Sequence, residues 1–206
     1  VLERNRFVVR ERVKLLTDRN TYAILDGDTG EPVGTAEEHT GPTVRLLRWF
    51  VSKHLMPTRV EVREKPDDSL VFSVRRGAYL FKSRVEVHDA QGELIGYFRS
   101  RVVTVSGGLH VYDKAGNHFA DVKGKWLGLD YRFVTPDGRV ELGRVSNKWE
   151  GMVKELFTSA DTYGVEVSPD LAEQPLAKML ILAAALAIDM IYKKESRTVD
   201  PSDLVE

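Results

Sequence analysis

The 206-residue chain has no cysteine, which excludes a disulfide framework, a thiolate nucleophile, a Cys-based zinc site and thiol lipidation. That composition suits a reducing cytoplasm. Neither charge is in real excess: 30 Lys and Arg stand against 31 Asp and Glu, a formal net charge of -1. A nucleic-acid partner held by bulk positive charge is thereby excluded, and any basic patch must be local. The first residues, VLERNRFVVRER, lack the run of about 7–15 apolar residues that a secretory signal needs, so export by that route is not expected. Also missing are a G-x-S-x-G elbow, a G-x-x-x-x-G-K-[ST] loop, an H-E-x-x-H pair and a G-x-G-x-x-G fingerprint. These absences leave covalent chemistry without a motif, and the chain reads as a non-enzyme with no cofactor beyond, at most, weakly held Ca²⁺.

With 42% hydrophobic residues the chain can bury the core of one domain of this length. Most of it alternates short β-branched or aromatic stretches with Gly, Asp, Asn and Pro, the pattern of consecutive hairpins. A weak repeat sharpens this: an extended run, an Asp-containing turn closed by Gly, another extended run, and a small residue. It occurs at Ala23 to Gly34, Val85 to Gly96 and His110 to Ala120, and in altered form at Arg132 to Gly143. Asp supplies turn hydrogen bonds and Gly a positive φ, so each copy predicts a hairpin. The spacing is too irregular for a solenoid or propeller. A closed antiparallel barrel accommodates the hairpins and removes their exposed edges.

Two segments break the β pattern. Thr43 to His54 follows Pro42 and places Leu46, Leu47, Phe50 and Val51 at helical spacing, with Arg45, Arg48, Trp49 and Lys53 on the other side; this predicts an amphipathic helix that is either a solvated surface helix or a membrane-surface one. Leu176 to Tyr192, LAKMLILAAALAIDMIY, is apolar on nearly every side. As a helix it is ~26 Å long, short of the ~30 Å hydrocarbon thickness, and Lys178 and Asp189 fall on one narrow polar stripe. A helix apolar all round must be buried in lipid or in protein. An Asp within a span costs ~2.5–3.5 kcal/mol on insertion scales, which favours a helix at about 175–194 threading the barrel.

The stretch VSNKWEGMVKELFTSADTYGVEVSPDL (Val145 to Leu171), followed by a hydrophobic helix ending LAIDMIY, resembles the C-terminal region of the phospholipid scramblases. Val13 to Asp26, VKLLTDRNTYAILD, is similar to the opening of the LURP-one-related proteins. The resemblance implies the tubby-like fold: mainly β, a closed antiparallel barrel of about 12 strands around a central C-terminal hydrophobic helix. Residues 1–195 would form this single domain and 196–206 a polar tail. For function it implies phospholipid or phosphoinositide-like headgroups as partners, and calcium-dependent lipid movement as an alternative. The Pro-rich and Cys-rich palmitoylated stretches of scramblases have no counterpart in these 206 residues.

Candidate sites follow from the residues one by one. In an EF-hand-like register Ser159 is position 1, Asp161 position 3, Gly164 position 6 and Asp170 position 12; Ser159 replaces the acidic first residue of the family string. Two carboxylates among the 6–8 oxygens that Ca²⁺ requires predict millimolar affinity or worse, and a plain turn before a strand at Tyr163 to Val167 explains the same residues. His88, His110 and His118 lie beside repeated turns, so a shared His cluster is conceivable. Residues 1–19 hold six basic groups against three acidic ones, and Arg10, Arg12 and Lys14 alternate onto one strand face. With Arg45, Arg48, Trp49 and Lys53, and with Arg75, Arg76, Lys82 and Arg84 as further members, they form a candidate anion-binding surface; the alternative that explains the same residues is a solvated outer barrel face. The expected function is peripheral binding to anionic phospholipid membranes from the cytoplasmic side, at the inner face of the plasma membrane. The alternatives are lipid scrambling with the C-terminal helix inserted, and an intracellular ligand carrier or interaction module without a lipid role.

Overall fold

The computed structural model describes residues 1–12, 20–39, 57–77, 84–100, 108–125, 130–147 and 162–196. Twelve strands run through them: β1 (Arg6–Arg12), β2 (Thr21–Asp26), β3 (Pro32–His39), β4 (Thr58–Glu64), β5 (Leu70–Arg76), β6 (Arg84–Asp89), β7 (Leu94–Ser100), β8 (Gly108–Asp113), β9 (His118–Lys125), β10 (Asp130–Val134), β11 (Glu141–Ser146) and β12 (Thr162–Val167). Each strand pairs with its neighbours in sequence, and β1 closes on β12 to complete an antiparallel barrel. Closure leaves no sheet edge unpaired, which is how so many hairpins coexist in one domain.

The four repeat copies are the β2–β3, β6–β7, β8–β9 and β10–β11 hairpins. In the first three the Asp carboxylate organises the turn: Asp26 accepts from the N–H groups of Asp28 (2.8 Å) and Thr29 (3.0 Å), Asp89 from those of Gln91 and Glu93, and Asp113 from that of Asn117 (2.8 Å). In the altered copy Thr135 takes the Asp position, and its Oγ1 accepts from the N–H of Val140 at 3.2 Å. Gly30, Gly92, Gly116 and Gly138 all turn at φ between 74° and 86°, where a side chain would be strained. A fifth hairpin, β4–β5, turns without the motif through Pro66 and Asp68, the latter at φ 60°. All five hairpins slip register by one residue at equivalent places, such as Ile24/Leu25, Val62/Arg63 and Val111/Tyr112. In an up-and-down barrel these five turns share one end.

The predicted hydrophobic helix is α1 (Pro175–Ser196), 22 residues long. It follows β12 and a 3₁₀ turn at Pro169–Leu171, whose Asp170 N–H donates to Ser168 Oγ at 3.4 Å. From Leu180 to Ile188 every residue is at most 4% exposed, so the helix is enclosed on all sides by strands. Inward residues such as Phe7, Val9, Phe72, Val74, Val111 and Phe133 join it in one core. The small residues that end the repeats make room for this packing. A Cβ on Gly143 would lie 2.6 Å from the Glu166 carbonyl oxygen and 3.4 Å from Ile181, and Ala120 is wholly buried. Lys178 is 2% exposed and donates from Nζ to the Leu2 carbonyl at 2.9 Å. Asp189 falls within α1, but its side chain is outside what is described, as are residues 197–206. Among the described residues no helix is long and apolar enough to cross a membrane.

Candidate functional site

Strand alternation places the first candidate surface. Phe7 and Val9 point into the core, so Arg10 and Arg12 lie together on the outer face of β1, with Arg10 half-buried and Arg12 exposed. Lys14, Arg45, Arg48, Trp49, Lys53 and Lys82 fall outside the described residues. Two further members move elsewhere. Arg76 shares the inward phase of Val74 and is 5% exposed, its Nη2 donating to Thr58 Oγ1 at 3.3 Å; adjacent residues on a strand face opposite ways, so Arg75 and Arg76 cannot serve one surface. Arg84 is occupied by Glu86, to which its Nε donates at 2.7 Å.

Other outward arginines are also engaged. Arg6 bridges Glu166 and Asp28, each at 3.1 Å; Arg59 and Arg63 flank Glu61 at 2.8 and 2.7 Å; Arg144 pairs with Asp130 at 2.9 Å. Burial pushes the Glu61 carboxyl up, but the Arg63 hydrogen bond and the charges of Arg59, His39 and Arg63 outweigh it and hold the group below its ordinary 4.5. Glu86 is held low against burial in the same way by Arg84 and His88. These arginines, among the described residues, are thus each neutralised by a neighbouring carboxylate. Arg12 also borders a groove of about 710 Å³ lined by Lys65, Glu37 and Asp68 among others, two cations facing two anions.

The calcium register meets the structure only in part. Ser159 and Asp161 lie outside the described residues. Thr162 to Val167 are a regular strand, in which Gly164 opposes Val8 on one side and Ser146 on the other. The predicted strand at Tyr163 to Val167 is there, and the backbone at position 6 is extended rather than turned. Asp170 sits exposed in the 3₁₀ turn.

A tighter constellation lies on the outer face of β8 and β9. His110 Nδ1 is 2.6 Å from Asp121 Oδ1, and His118 Nε2 is 2.8 Å from the same oxygen. His110 and Asp121 are direct cross-strand partners, as are Tyr112 and His118. Tyr112 stacks on His118 with centroids 5.3 Å apart, and Tyr97 stacks on Tyr112 at 5.0 Å. Arg99 caps the two tyrosines, its guanidinium carbon 5.3 and 5.5 Å from their centroids. Asp121 is 7% exposed; burial raises its pKa, yet the hydrogen bonds and charges of the two histidines bring it below the ordinary 3.8. Of the three histidines set beside repeated turns, His110 and His118 meet. His88 does not join them, since its ring contacts Glu86 Oε2 and the Gly92 carbonyl. Asp121 carries no sequence signal of its own: three residues from His118, it would face the opposite way in an unbroken strand. The register slip opposite Val111/Tyr112 restores it to the same face.

A twelve-strand closed barrel filled by its own C-terminal helix defines the class of this protein, and it is the tubby-like architecture that the sequence resemblance implied. The Scramblase family model matches residues 8–195, and the chain belongs to that family. It is similar to human (Homo sapiens) phospholipid scramblase 2, 30% identical over 70 residues that make up 34% of this chain and 23% of the relative. Mouse (Mus musculus) phospholipid scramblase 1 is 31% identical over 64 residues, 31% of this chain and 19% of that one. Human phospholipid scramblase family member 5 is 28% identical over 68 residues, 33% and 24% of the two chains. The matched stretches thus span a quarter or less of each relative's length. An X-ray structure of a protein from Arabidopsis thaliana aligns over 89% of this chain and 92% of its own, with 12% identity and a TM-score of 0.49.

Proposed function

We propose that the chain is a non-catalytic, peripheral binder of anionic phospholipid headgroups at the cytoplasmic face of a membrane, with α1 retained inside the barrel. Membership of the Scramblase family supports phospholipid as the partner class. The observation that carries the peripheral mode is the burial of Leu180 to Ile188, at most 4% exposed. Over these residues the apolar surface of α1 is already in contact with the strands. Moving α1 into lipid would re-bury the helix but leave the apolar lumen to water, at ~25 cal/mol for each Å² so exposed. Recognition then falls to outward charge such as Arg10 and Arg12, each basic group near an anionic surface contributing ~1 kcal/mol.

Co-sedimentation with vesicles of phosphatidylcholine alone, and with phosphatidylserine or a phosphoinositide added, tests this at low and physiological salt, with and without Ca²⁺. Binding should favour the anionic vesicles and fall with salt, because exposed charges are screened beyond ~8 Å at physiological ionic strength. Equal, salt-insensitive binding, or none at low salt, removes the headgroup reading and puts the carrier or interaction-module alternative ahead. The family match favours one second reading, Ca²⁺-dependent scrambling with α1 inserted. Transfer of a fluorescent lipid between the leaflets of proteoliposomes on Ca²⁺ addition would establish it in place of the peripheral mode.

A further inference from the structure

We infer that His110, His118 and Asp121 form a binding site for a divalent transition metal of the zinc class on the outer wall of the barrel. One ligand atom from each residue lies within 4.8 Å of the others, and two imidazole nitrogens converge on one carboxylate oxygen at 2.6 and 2.8 Å. Zn–N and Zn–O distances of about 2.0–2.2 Å in a tetrahedron place ligand atoms roughly 3.3 Å apart. Widening the two N···O contacts by about 0.5–0.7 Å, with the two imidazole nitrogens, at most 4.8 Å apart, drawing together, therefore admits the ion where two N–H···O hydrogen bonds now run. The metal takes the place of the two hydrogens directed at Asp121, and each neutral ring carries its proton on the other nitrogen. No group is oxidised or reduced.

The donor set selects the ion. Two imidazoles and one carboxylate suit Zn²⁺ and its first-row neighbours, whereas Ca²⁺ and Mg²⁺ require more oxygens than Asp121 supplies. The ligands are held in place before the ion arrives. Asp121 is 7% exposed, and the ring of His118 lies on Tyr112, itself stacked on Tyr97. The His110 and His118 side chains keep 29% and 32% exposure, so the fourth position opens to water. A three-ligand site with an open position is what metal sites that also bind an exogenous group use. Affinity is limited because one carboxylate neutralises half of the dication and Arg99 opposes His110 across the β7–β8 pair. Dissociation constants on the order of 1–100 µM follow, far weaker than those of closed four-ligand sites.

Titration of the full chain with ZnCl₂ by calorimetry, with CaCl₂ and MgCl₂ as controls, tests the site. One Zn²⁺ should bind saturably, and a hundredfold excess over Kd should raise the thermal midpoint by about 5–10 °C for a chain of this size. His118→Gln and Asp121→Asn should each weaken binding by about tenfold or more, while His88→Gln should leave it unchanged. If either ligand variant fails to fold, His110→Gln serves in its place. Co²⁺ added to the unmodified chain should give the visible absorption of a low-coordinate nitrogen-ligated ion. Absence of saturable Zn²⁺ binding up to about 1 mM, or binding undiminished in both His110→Gln and His118→Gln, overturns the assignment.

Discussion

Gly96 of β7 lies directly against Leu180 of α1: a Cβ on Gly96 would sit 2.8 Å from Leu180 Cδ2 and 2.4 Å from the Tyr112 carbonyl oxygen. The Tyr112 oxygen belongs to the backbone of β8 and cannot swing away as the Leu180 side-chain end can, so β7 and β8 would have to separate while Leu180 repacks. Gly96→Val should cost about 1–3 kcal/mol or more through overpacking. Gly92→Ala, at φ 86° with open space around it, should cost only the backbone strain, roughly 1 kcal/mol. Urea unfolding of the two variants gives the comparison; a smaller loss for Gly96→Val would show that the helix has slack inside the barrel.

The contrast between these two glycines reflects what the sequence carries. Gly92 and its counterparts announce themselves locally, since an Asp followed by a Gly at positive φ is a turn whatever lies around it, and four hairpins were legible on that ground. The turn through Pro66 and Asp68 lacks the glycine and gave no repeat. Gly96 appears in sequence only as the small residue that ends a copy; its purpose depends on Leu180, 84 positions away, and is visible only in three dimensions. The apolar circumference of α1 was legible because burial on every side needs no knowledge of the partner. The charged face was not. Alternation put Arg10 and Arg12 on one face, as it sets Glu61 between Arg59 and Arg63 on β4, but the carboxylates that occupy Arg6 and Arg144 are supplied by neighbouring strands, and Asp121 reaches its histidines only after a one-residue slip.

Asp26 couples the first hairpin to pH. Burial raises its pKa, but the backbone N–H groups of Thr29 and Asp28 and the guanidinium of Arg4 outweigh that and leave it below the ordinary 3.8. A carboxylate lowered by folding contributes stability that is fully present above its unfolded pKa and is lost as pH falls through the folded one. Asp26→Asn should therefore be less stable than the unmodified chain at pH 6, with the gap closing between about pH 4 and pH 2. Urea midpoints at those pH values check it; a gap that widens on acidification would mean the carboxyl is raised instead.

Calcium at about 1 mM should leave the thermal midpoint unchanged, since linkage shifts it only when the ion exceeds its Kd. The physical reason is the backbone of β12. Val165, at position 7 of the loop register, lies in a ladder between Phe7 and Val145, and Gly164 makes no turn around an ion. Ser159 brings no charge, and Asp170 stands at the far end of the strand. Ser159→Asp should strengthen whatever interaction exists. A micromolar dissociation constant by calorimetry in the unmodified chain would show that the ion recruits ligands from elsewhere.

Vesicle binding should depend on where charge is removed and not only on how much. Arg10 and Arg12 share the outer face of β1, beside the end of the barrel where β1, β3 and β5 terminate at Arg12, His39 and Arg76. Arg132 and Arg139 belong to the β10–β11 hairpin; their side chains are 58% and 85% exposed, with carboxylates at 3.9 and 3.6 Å. Neutralising either pair, as Arg10→Gln with Arg12→Gln or as Arg132→Gln with Arg139→Gln, removes the same two charges from a chain whose net charge is -1. If binding answered to overall charge, the two variants would behave alike. A local surface makes them differ: at ~1 kcal/mol per basic group, loss of the β1 pair should lower the partition onto anionic vesicles by roughly tenfold or more, and loss of the hairpin pair by much less. Salt should narrow the difference, because screening removes the term that separates them. Circular dichroism of both variants confirms that the barrel is intact. Equal loss in the two would move the binding surface away from β1 while leaving electrostatic attraction in place.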